Sequence, residues 1–188
     1  MVDLRARLAS GNPNKLVELR SALPEWRVEL CAPGVDPPAE TGATFRENAL
    51  LKARFGREHA PPDAWALGED SGIEAAALGG RPGIESARWA EDGVARLLAE
   101  LDGLPDRRAR YVCELVAISP GGEEVHATGE LAGSIAAARR GDEGFGYDPV
   151  FVPDGETRTV AELGNDWKRT HSHRARAAAE LARRLEGR

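Results

Sequence analysis

The spacing of apolar and polar residues predicts a chain that contains both strands and helices. Alternation with a period of two, or a short apolar run between polar segments, predicts a strand. The segments with such patterns are Leu4–Leu8, Val28–Leu30, 64–68, 73–78, 111–119 and 124–135. The turn sequence Pro-Gly-Gly-Glu separates the last two segments, which predicts that they form a hairpin.

Four segments have the pattern of helices. Asn12 followed by Pro13 is a typical helix start, with asparagine as the N-cap and proline in the first turn. Thr44 and Glu47 have the spacing of a capping box. The predicted helices cover 13–23, 44–55, 93–101 and 172–185. A parallel crossover together with a hairpin implies a mixed sheet flanked by helices, and therefore an α/β fold.

Composition narrows the class of protein. The 188 residues suffice for one substantial domain, or for two small lobes that share a sheet, and the 41% hydrophobic content is typical of a soluble globular protein. Since we find neither a signal peptide nor a membrane-length apolar run, we expect a cytoplasmic protein. A net charge of −6 disfavours binding to nucleic-acid backbone, whereas a small anionic ligand remains compatible with it.

Cysteine and lysine usage adds two expectations. Cys31 and Cys113 lie far apart without metal-ligand spacing, which indicates two buried thiols rather than a zinc site or a disulfide. Of 25 basic residues, only Lys15, Lys52 and Lys168 are lysine. Either this distribution is chance, or lysine is kept where a compact ammonium group is needed.

The segment SGNPNK, residues 10–15, leads from the first predicted strand into a helix. The free N–H groups and the dipole of a helix start favour an anion, and Lys15 lies in the first turn. The segment is neither a Walker A loop nor a GxGxxG fingerprint, so taken alone it is a weak signal for anion binding, and a plain helix cap is the simpler explanation.

Three acids are candidates for a metal site. Glu69 and Asp70 directly follow the apolar run 64–68, where a carboxylate is costly unless a cation offsets its charge. Oxygen ligands of this kind suit Mg²⁺, which binds one or two carboxylates together with phosphates and water. Glu40 precedes the helix that carries Lys52. The alternatives are an acid pair that caps a turn or pairs with arginine, a loop acid at Glu40 and a solvated lysine at Lys52.

Two segments near the C-terminus carry further candidates. In the loop GFGYDPVF, Phe145 or Tyr147 could stack on a planar base, or both rings could belong to the core. The segment WKRTHSHRARA supplies Lys168, His171, His173 and Arg174. Its HxH spacing alone is weak evidence for zinc, so this positive cluster indicates a group that contacts a phosphate or a base edge. Together with the anion-binding helix start and the acids, these segments indicate a site for a nucleoside polyphosphate with Mg²⁺.

The order of these motifs resembles that of a known family. The segments SGNPNK, ETGATFRENALLKAR, EDSGIEAAALGGRPGIESARW, GFGYDPVF, TVAEL and SHRARA are similar to those of the inosine triphosphate pyrophosphatases, also described as XTP/dITP diphosphatases. The resemblance covers nearly the whole chain and implies a single domain over 1–188. It implies an elongated two-lobed α/β fold on a long mixed β-sheet flanked by helices, with the nucleotide in the groove between the lobes.

The resemblance also implies an activity. It predicts hydrolysis of ITP, dITP and XTP to the monophosphate and pyrophosphate, dependent on Mg²⁺ with Mn²⁺ as an alternative, by a homodimer. The implied catalytic residues are Asp70, Lys15 and Lys52, and the implied metal ligands are Glu40 and Asp70, with Glu69 as a further candidate. Relatives often show two acids before Thr-Gly, whereas this chain has Ala39-Glu40. The implied substrate contacts are Ser10, Gly11, Asn12, Pro13, Asn14, Lys15, Ser71, Phe145, Gly146, Tyr147, Asp148, Lys168, His173 and Arg174.

Two other interpretations compete with this one. A pyrophosphatase of the same architecture that acts on modified pyrimidine nucleotides would need the same phosphate and metal residues. A nucleotide-binding protein without catalytic activity would need the binding residues alone. The loop at Phe145–Asp148 and the segment Ser172-His173-Arg174 argue against the first. The presence of both Asp70 and Lys15 argues against the second.

Overall fold

A computed structural model describes residues 4–31 and 37–187. Its elements are β1 (Leu4–Leu8), α1 (Pro13–Ala22), β2 (Trp26–Leu30), α2 (Phe45–His59), β3 (Trp65–Ala75), α3 (Gly93–Glu100), β4 (Arg108–Ile118), β5 (Glu124–Ile135), β6 (Phe151–Pro153), α4 (Val160–His171) and α5 (His173–Glu186). Single 3-10 turns cover Ala76–Leu78 and Gly83–Glu85. None of the helices in these two ranges has the length and apolarity that crossing a membrane requires.

The strands form one six-stranded sheet in the order β2-β1-β3-β4-β5-β6. Strand β1 pairs in parallel with β2 and with β3, whereas β5 pairs antiparallel with β6. The sheet is therefore mixed, which confirms the predicted α/β class.

Strand β3 differs from the prediction. The sequence suggested two strands, 64–68 and 73–78, interrupted at the acids, but one strand runs from Trp65 to Ala75. Glu69 and Asp70 therefore lie within a strand rather than in a loop after it, and both side chains are buried. Their contacts with basic side chains, described below, offset the cost of burying the two carboxylates, and a local pattern does not reveal such contacts.

Two helix starts follow the predicted capping pattern. Asn12 Oδ1 accepts from the backbone N–H of Asn14 at 2.9 Å, and Pro13 begins α1. Thr44 Oγ1 accepts from the N–H of Glu47 at 3.1 Å. In a capping box the Glu47 carboxylate would accept from the N–H of Thr44, but it accepts from the N–H of Ala43, the preceding residue, at 2.6 Å. Of the loop predicted over 32–42, residues 32–36 lie outside the described residues.

The chain separates into two compact units. Unit 1 comprises Met1–Asp70, Cys113–Gly129 and Arg174–Arg188, and unit 2 comprises Ser71–Val112 and Glu130–His173. Each has a buried apolar core of its own. The core of unit 1 includes Leu8, Leu19, Leu67, Leu115 and Leu181. The core of unit 2 includes Ile73, Leu97, Tyr111, Val150 and Phe151.

Gly68 allows α2 to lie directly against β3. A Cβ atom at Gly68 would be 2.0 Å from the carbonyl oxygen of Ala49 and 2.3 Å from the backbone nitrogen of Ala53. Both obstacles are backbone atoms of α2, which cannot rotate away. The close contact brings the helix face that carries Asn48 and Lys52 next to Asp70, two residues along the strand.

We therefore expect Gly68→Ala to be strongly destabilising, because the added methyl group forces α2 away from β3. The free energy of unfolding should fall by about 3 kcal/mol, as for severe overpacking. Gly121→Ala is the control, since the nearest atom to a Cβ there is Ser119 Oγ at an ordinary 3.7 Å. Urea denaturation of the three proteins measures both effects, and equal midpoints would contradict the prediction.

Candidate functional site

Many of the predicted site residues fall into two clusters, one in each unit, in which every side chain except those of Lys15, Glu40 and Phe145 is buried. The unit 1 cluster consists of Lys15, Glu40, Asn48, Lys52, Glu69, Asp70 and Arg174. The unit 2 cluster consists of Tyr111, Phe145, Asp148, Lys168 and His173.

Asp70 is held by two side chains of α2. Its Oδ2 accepts from Asn48 Nδ2 at 3.2 Å, and its Oδ1 accepts from Lys52 Nζ at 2.8 Å. Asn48 is itself oriented, because its Oδ1 accepts from the backbone N–H of Gly42 at 2.8 Å. Burial raises the pKa of Asp70, and the negative charge of Glu40 raises it further against the opposing effect of Lys52. This carboxylate therefore accepts a proton more readily than an ordinary aspartate does.

Lys52 links the two acids predicted to bind metal. Its ammonium group contacts the carboxylates of Asp70 and Glu40 and also donates to the carbonyl oxygen of Glu69 at 3.0 Å. Burial lowers the pKa of Lys52, but the pull of Asp70 and Glu40 outweighs it, so the net shift is upward. Lys52 thus stays protonated and supplies a fixed positive charge.

Glu69 has different partners from its neighbour, because successive side chains of a strand point to opposite faces of the sheet. The buried Glu69 carboxylate contacts Lys15 Nζ at 2.7 Å and Arg174 Nη2 at 2.9 Å. The thiol of Cys113 donates to the same carboxylate at 3.5 Å. The alternative that an acid of this pair binds arginine is therefore confirmed for Glu69.

Arg174 lies in the first turn of α5 and is 2% exposed. Besides Glu69, its guanidinium group contacts the carboxylate of Glu18 on α1. Burial lowers the pKa of Arg174, but the two acids outweigh that effect and the net shift is upward. The sequence associated Arg174 with the base end of a nucleotide, and these contacts give it a second task within unit 1 that the sequence did not indicate.

The segment 10–15 forms the start of α1. Ser10 Oγ accepts from the N–H of Asn12 at 3.1 Å, and Asn12 caps the helix as described above. The predicted cap is therefore present. Gly11, Pro13 and Asn14 are exposed, so this helix start faces solvent. Its use as a phosphate-binding segment stays a prediction.

The candidate ligands for a metal ion are Glu40 and Asp70, the two acids that contact Lys52. In the described ranges, 4–31 and 37–187, no group of three or more His, Cys, Asp or Glu side chains is placed to hold a metal ion. Glu40 and Asp70 nevertheless meet at one ammonium group, which shows that two carboxylates converge on a cation here. Two carboxylates fit Mg²⁺, which takes its remaining ligands from water and substrate phosphates.

In unit 2, Asp148 is the centre of a polar network. Its Oδ1 accepts from the hydroxyl of Tyr111 at 3.1 Å. Its Oδ2 accepts from Lys168 Nζ at 2.7 Å and from the backbone N–H of Phe145 at 2.9 Å. The loop is tight, since a Cβ at Gly144 would be 2.2 Å from Asp148 Oδ2, and Gly144 has a φ of +81°. Asp148 therefore holds its own loop and fixes the Lys168 ammonium group.

The two aromatic residues of this loop have different environments. Tyr147 is 6% exposed and packs in the unit 2 core, while its hydroxyl donates to the carbonyl oxygen of Ser86 at 3.0 Å. Burial raises the pKa of Tyr147 to about 12. Phe145 is half-buried, and Lys168 Nζ lies 4.6 Å from its ring centroid. Tyr147 therefore belongs to the core, which was the alternative to stacking on a base. Phe145 lies outside the core, with the Lys168 ammonium group over its ring.

The remaining candidates of unit 2 are His173, Ser71 and Gly146. The ring of His173 stacks on that of Tyr111 with centroids 4.5 Å apart and planes within 7°. Ser71 is half-buried on β3, and Gly146 is exposed with a φ of +61°, a conformation that favours glycine.

The three lysines of the chain have similar environments in the structure. All three lysines form ion pairs with acids: Lys15 with Glu69, Lys52 with Asp70 and Glu40, and Lys168 with Asp148. Their side chains are between 4% and 14% exposed. Of the two explanations, the one in which lysine is kept where a compact ammonium group is needed agrees with these contacts. The cysteine expectation is confirmed for Cys113, which is buried, but Cys31 is only half-buried.

Sequence reasoning did not assign Asn48 and Tyr111 of the two clusters to the site, nor Glu18, which contacts Arg174. Asn48 precedes Lys52 by four positions, which places both on one face of α2, and this spacing was the available signal. Glu18 and Tyr111 are brought to Arg174 and to Asp148 across long separations in sequence, and no local pattern marks them.

The chain belongs to the Ham1 family, whose family model matches residues 6–184. A relative from Symbiobacterium thermophilum, named dITP/XTP pyrophosphatase, is 47% identical over 98% of this chain and 96% of its own length. A relative of the same name from Bdellovibrio bacteriovorus is 40% identical over 95% of this chain and 96% of its own.

Solved structures are also similar to this chain. The Staphylococcus aureus Ham1 protein matches with a TM-score of 0.84 and 35% identity, over 97% of this chain and 98% of that one. A Mycobacterium abscessus nucleoside-triphosphatase, also named dITP/XTP pyrophosphatase, matches with a TM-score of 0.74 and 40% identity, over 97% and 100% of the chains.

Proposed function

We propose that the protein hydrolyses the deaminated purine nucleotides dITP, ITP and XTP to the monophosphate and pyrophosphate. The observation that carries the proposal is the setting of Asp70, a buried carboxylate of raised pKa held between Asn48 and Lys52. Membership of the Ham1 family and the names of the relatives agree with this reaction.

In the proposed reaction, Asp70 takes a proton from a water molecule as the water oxygen bonds to the α-phosphorus. The bond from that phosphorus to the bridging oxygen breaks, and pyrophosphate leaves with the bonding electron pair. A carboxylate whose pKa is raised by burial is better suited to accept the proton than an ordinary aspartate. Lys15 and Lys52 stabilise the negative charge that develops on the phosphate oxygens.

Glu40 and Asp70 are the residues that would hold Mg²⁺, or Mn²⁺ in its place. Such an ion supplies positive charge to phosphate oxygens when it is bound. Glu69, whose carboxylate contacts Lys15 and Arg174, is in our proposal a partner of Lys15 rather than a metal ligand. The start of α1, formed by Ser10, Gly11, Asn12, Pro13 and Asn14, lies at the triphosphate in our proposal. It binds the phosphates through the positive end of the helix dipole and the ammonium group of Lys15.

The base contacts belong to unit 2 in this proposal. Phe145 offers a ring face, Lys168 a charged donor and His173 a donor or acceptor, while Ser71, Gly146, Tyr147 and Asp148 shape the surroundings. Protein donors that fit the 6-oxo group of hypoxanthine or xanthine cannot bond to the 6-amino group of adenine, because that group is itself a donor. A mismatch of this kind leaves buried polar groups unpaired and rejects the wrong base.

The activity is tested by release of pyrophosphate from dITP and XTP in the presence of Mg²⁺, beside dATP, dGTP and dCTP. We expect rapid turnover of dITP and XTP and much slower turnover of the others. Absence of dITP and XTP turnover would refute the proposed function. Turnover of dATP at the same rate would refute the proposed discrimination, and preference for a pyrimidine nucleotide would favour the rival enzyme class.

Removal of divalent ions tests the role of Glu40 and Asp70. We expect EDTA to abolish pyrophosphate release and added Mg²⁺ to restore it. Glu40→Gln should raise the Mg²⁺ concentration needed for half-maximal activity, because one ligand loses its charge. Full activity in EDTA would contradict this part of the proposal.

We also propose that the protein is a homodimer, as its resemblance to the family suggests. Light scattering coupled to gel filtration measures the mass in solution, and a mass near the 20.2 kDa of one chain would contradict a dimer.

A further inference from the structure

We propose that Tyr111 is a positioning residue that sets base selectivity by holding Asp148 and His173 in place. This inference rests on the proposed function, because it concerns the groups of unit 2 that contact the base. Tyr111 lies on β4, far in sequence from both partners, and no motif of the chain includes it.

The hydroxyl of Tyr111 donates to the oxygen of Asp148 opposite the one that Lys168 and Phe145 contact. Tyr111 contacts Oδ1 at 3.1 Å, while Lys168 and the N–H of Phe145 contact Oδ2 at 2.7 and 2.9 Å. With only the Oδ2 contacts, the carboxylate could still turn about that oxygen. The Tyr111 contact on the other oxygen opposes this rotation, and a hydrogen bond to a charged acceptor is among the stronger ones.

The ring of Tyr111 performs a second task. It stacks on the His173 ring with centroids 4.5 Å apart and an interplanar angle of 7°, so a tilt of His173 would meet the tyrosine face. Both rings are 6% exposed. One side chain therefore restrains two groups that lie 25 positions apart, Asp148 and His173.

Tyr111 is itself rigid enough to serve as a support. Its ring also packs against that of Phe151, with centroids 4.6 Å apart and an angle of 52°, and both rings belong to the unit 2 core. A group held by packing positions its neighbours more accurately than a group on a mobile surface does.

Accurate positioning of Asp148 and His173 affects the choice between bases more than it affects the affinity for the correct nucleotide. A wrong base is rejected because it leaves a buried polar group without a partner, and this penalty falls if the group can rotate to find another. If Asp148 gains rotational freedom, then Lys168 and the Phe145 loop that it holds gain freedom as well. The main consequence is a lower ratio of dITP to dATP turnover.

Tyr111→Phe tests the inference, because it removes the hydroxyl and keeps the ring that stacks on His173. We expect the dITP:dATP ratio of kcat/KM to fall about tenfold, as for loss of a hydrogen bond to a charged group. The value of kcat/KM for dITP itself should fall by less, mainly through KM. Tyr111→Leu, which also removes the stack, should lower the ratio further.

Leu97→Val is the control for a purely structural effect. Leu97 is fully buried in the same core, and its replacement removes a methylene group without touching a polar contact. It should lower the melting temperature and leave the dITP:dATP ratio unchanged. If the ratio falls equally in Leu97→Val at the same loss of melting temperature, the inference is wrong.

A double-mutant cycle tests whether the Tyr111 hydroxyl affects selectivity through its contact with Asp148. If Tyr111 acts through Asp148, Tyr111→Phe combined with Asp148→Asn should lower the ratio no further than Asp148→Asn does alone. Additive losses would overturn this route, and an unchanged ratio in folded Tyr111→Phe would overturn the inference while leaving the function of the wild type intact. Absence of dITP turnover by the wild type would instead refute the proposed function and the inference together.

Discussion

Asp70→Asn is expected to fold normally and to lose turnover of dITP by roughly 10³-fold or more, the scale of a general base that also binds the metal ion. Asparagine keeps the shape of the side chain, but its single amide oxygen can accept from Lys52 or from Asn48 and not from both. Lys52 keeps its ion pair with Glu40, so its charge stays compensated. The substitution removes both the proton acceptor and one charged metal ligand. Steady-state pyrophosphate release measures the loss, and circular dichroism with thermal denaturation establishes that the variant is folded.

Asp63→Asn is the matched control for that change. Asp63 belongs to the same unit, and its side chain is 63% exposed and paired at the surface with Arg5. A surface ion pair of this type contributes little to stability, so activity and melting temperature should stay close to the wild-type values. Substantial turnover by Asp70→Asn would show that another group accepts the proton.

Glu69→Gln is expected to be the most destabilising of the charge changes in unit 1. The carboxylate is fully buried and contacts two cations, Lys15 and Arg174. Its neutralisation leaves part of that positive charge uncompensated in a dry environment, and the free energy of unfolding should fall by about 3 kcal/mol. Lys15 loses its anchor as well, so kcat/KM for dITP should fall in the protein that remains folded.

The same strand offers a control for Glu69→Gln. Glu74 also lies on β3 and pairs with Arg110 at 2.7 Å, but the arginine side chain is 49% exposed. Glu74→Gln should change the free energy of unfolding by about 1 kcal/mol or less, because water replaces the lost partner. Urea denaturation of both variants distinguishes them, and equal losses would contradict the proposed role of burial.

These experiments also separate the two adjacent acids of β3. Asp70→Asn should remove activity and cost less stability than Glu69→Gln, because Lys52 keeps its ion pair with Glu40. Glu69→Gln should mainly reduce stability. The difference follows from the alternation of side chains along a strand, which turns Asp70 toward α2 and Glu69 toward Lys15 and Arg174.

Much of the fold could be predicted from local pattern. The alternation at Leu4–Leu8, the Asn12-Pro13 helix start and the turn between β4 and β5 are each signalled by a few neighbouring residues. Strand β3 could not be predicted in full, because two acids inside a buried strand look like the end of one. Helix α4 has no apolar run that marks it, although its capping box of Thr159 and Glu162 is a local signal in retrospect.

The amino-acid sequence by itself determined which groups are available for the chemistry: Asp70, Glu40, the three lysines and the Phe145–Asp148 loop. It could do so because each lies in a short segment whose residue types and spacing indicate a task. Only the tertiary structure decided how these groups are paired. The contacts of Arg174 with Glu69 and of Tyr111 with Asp148 join residues 105 and 37 positions apart. Such contacts arise from the packing of the sheet and the helices, and a local sequence pattern carries no information about them.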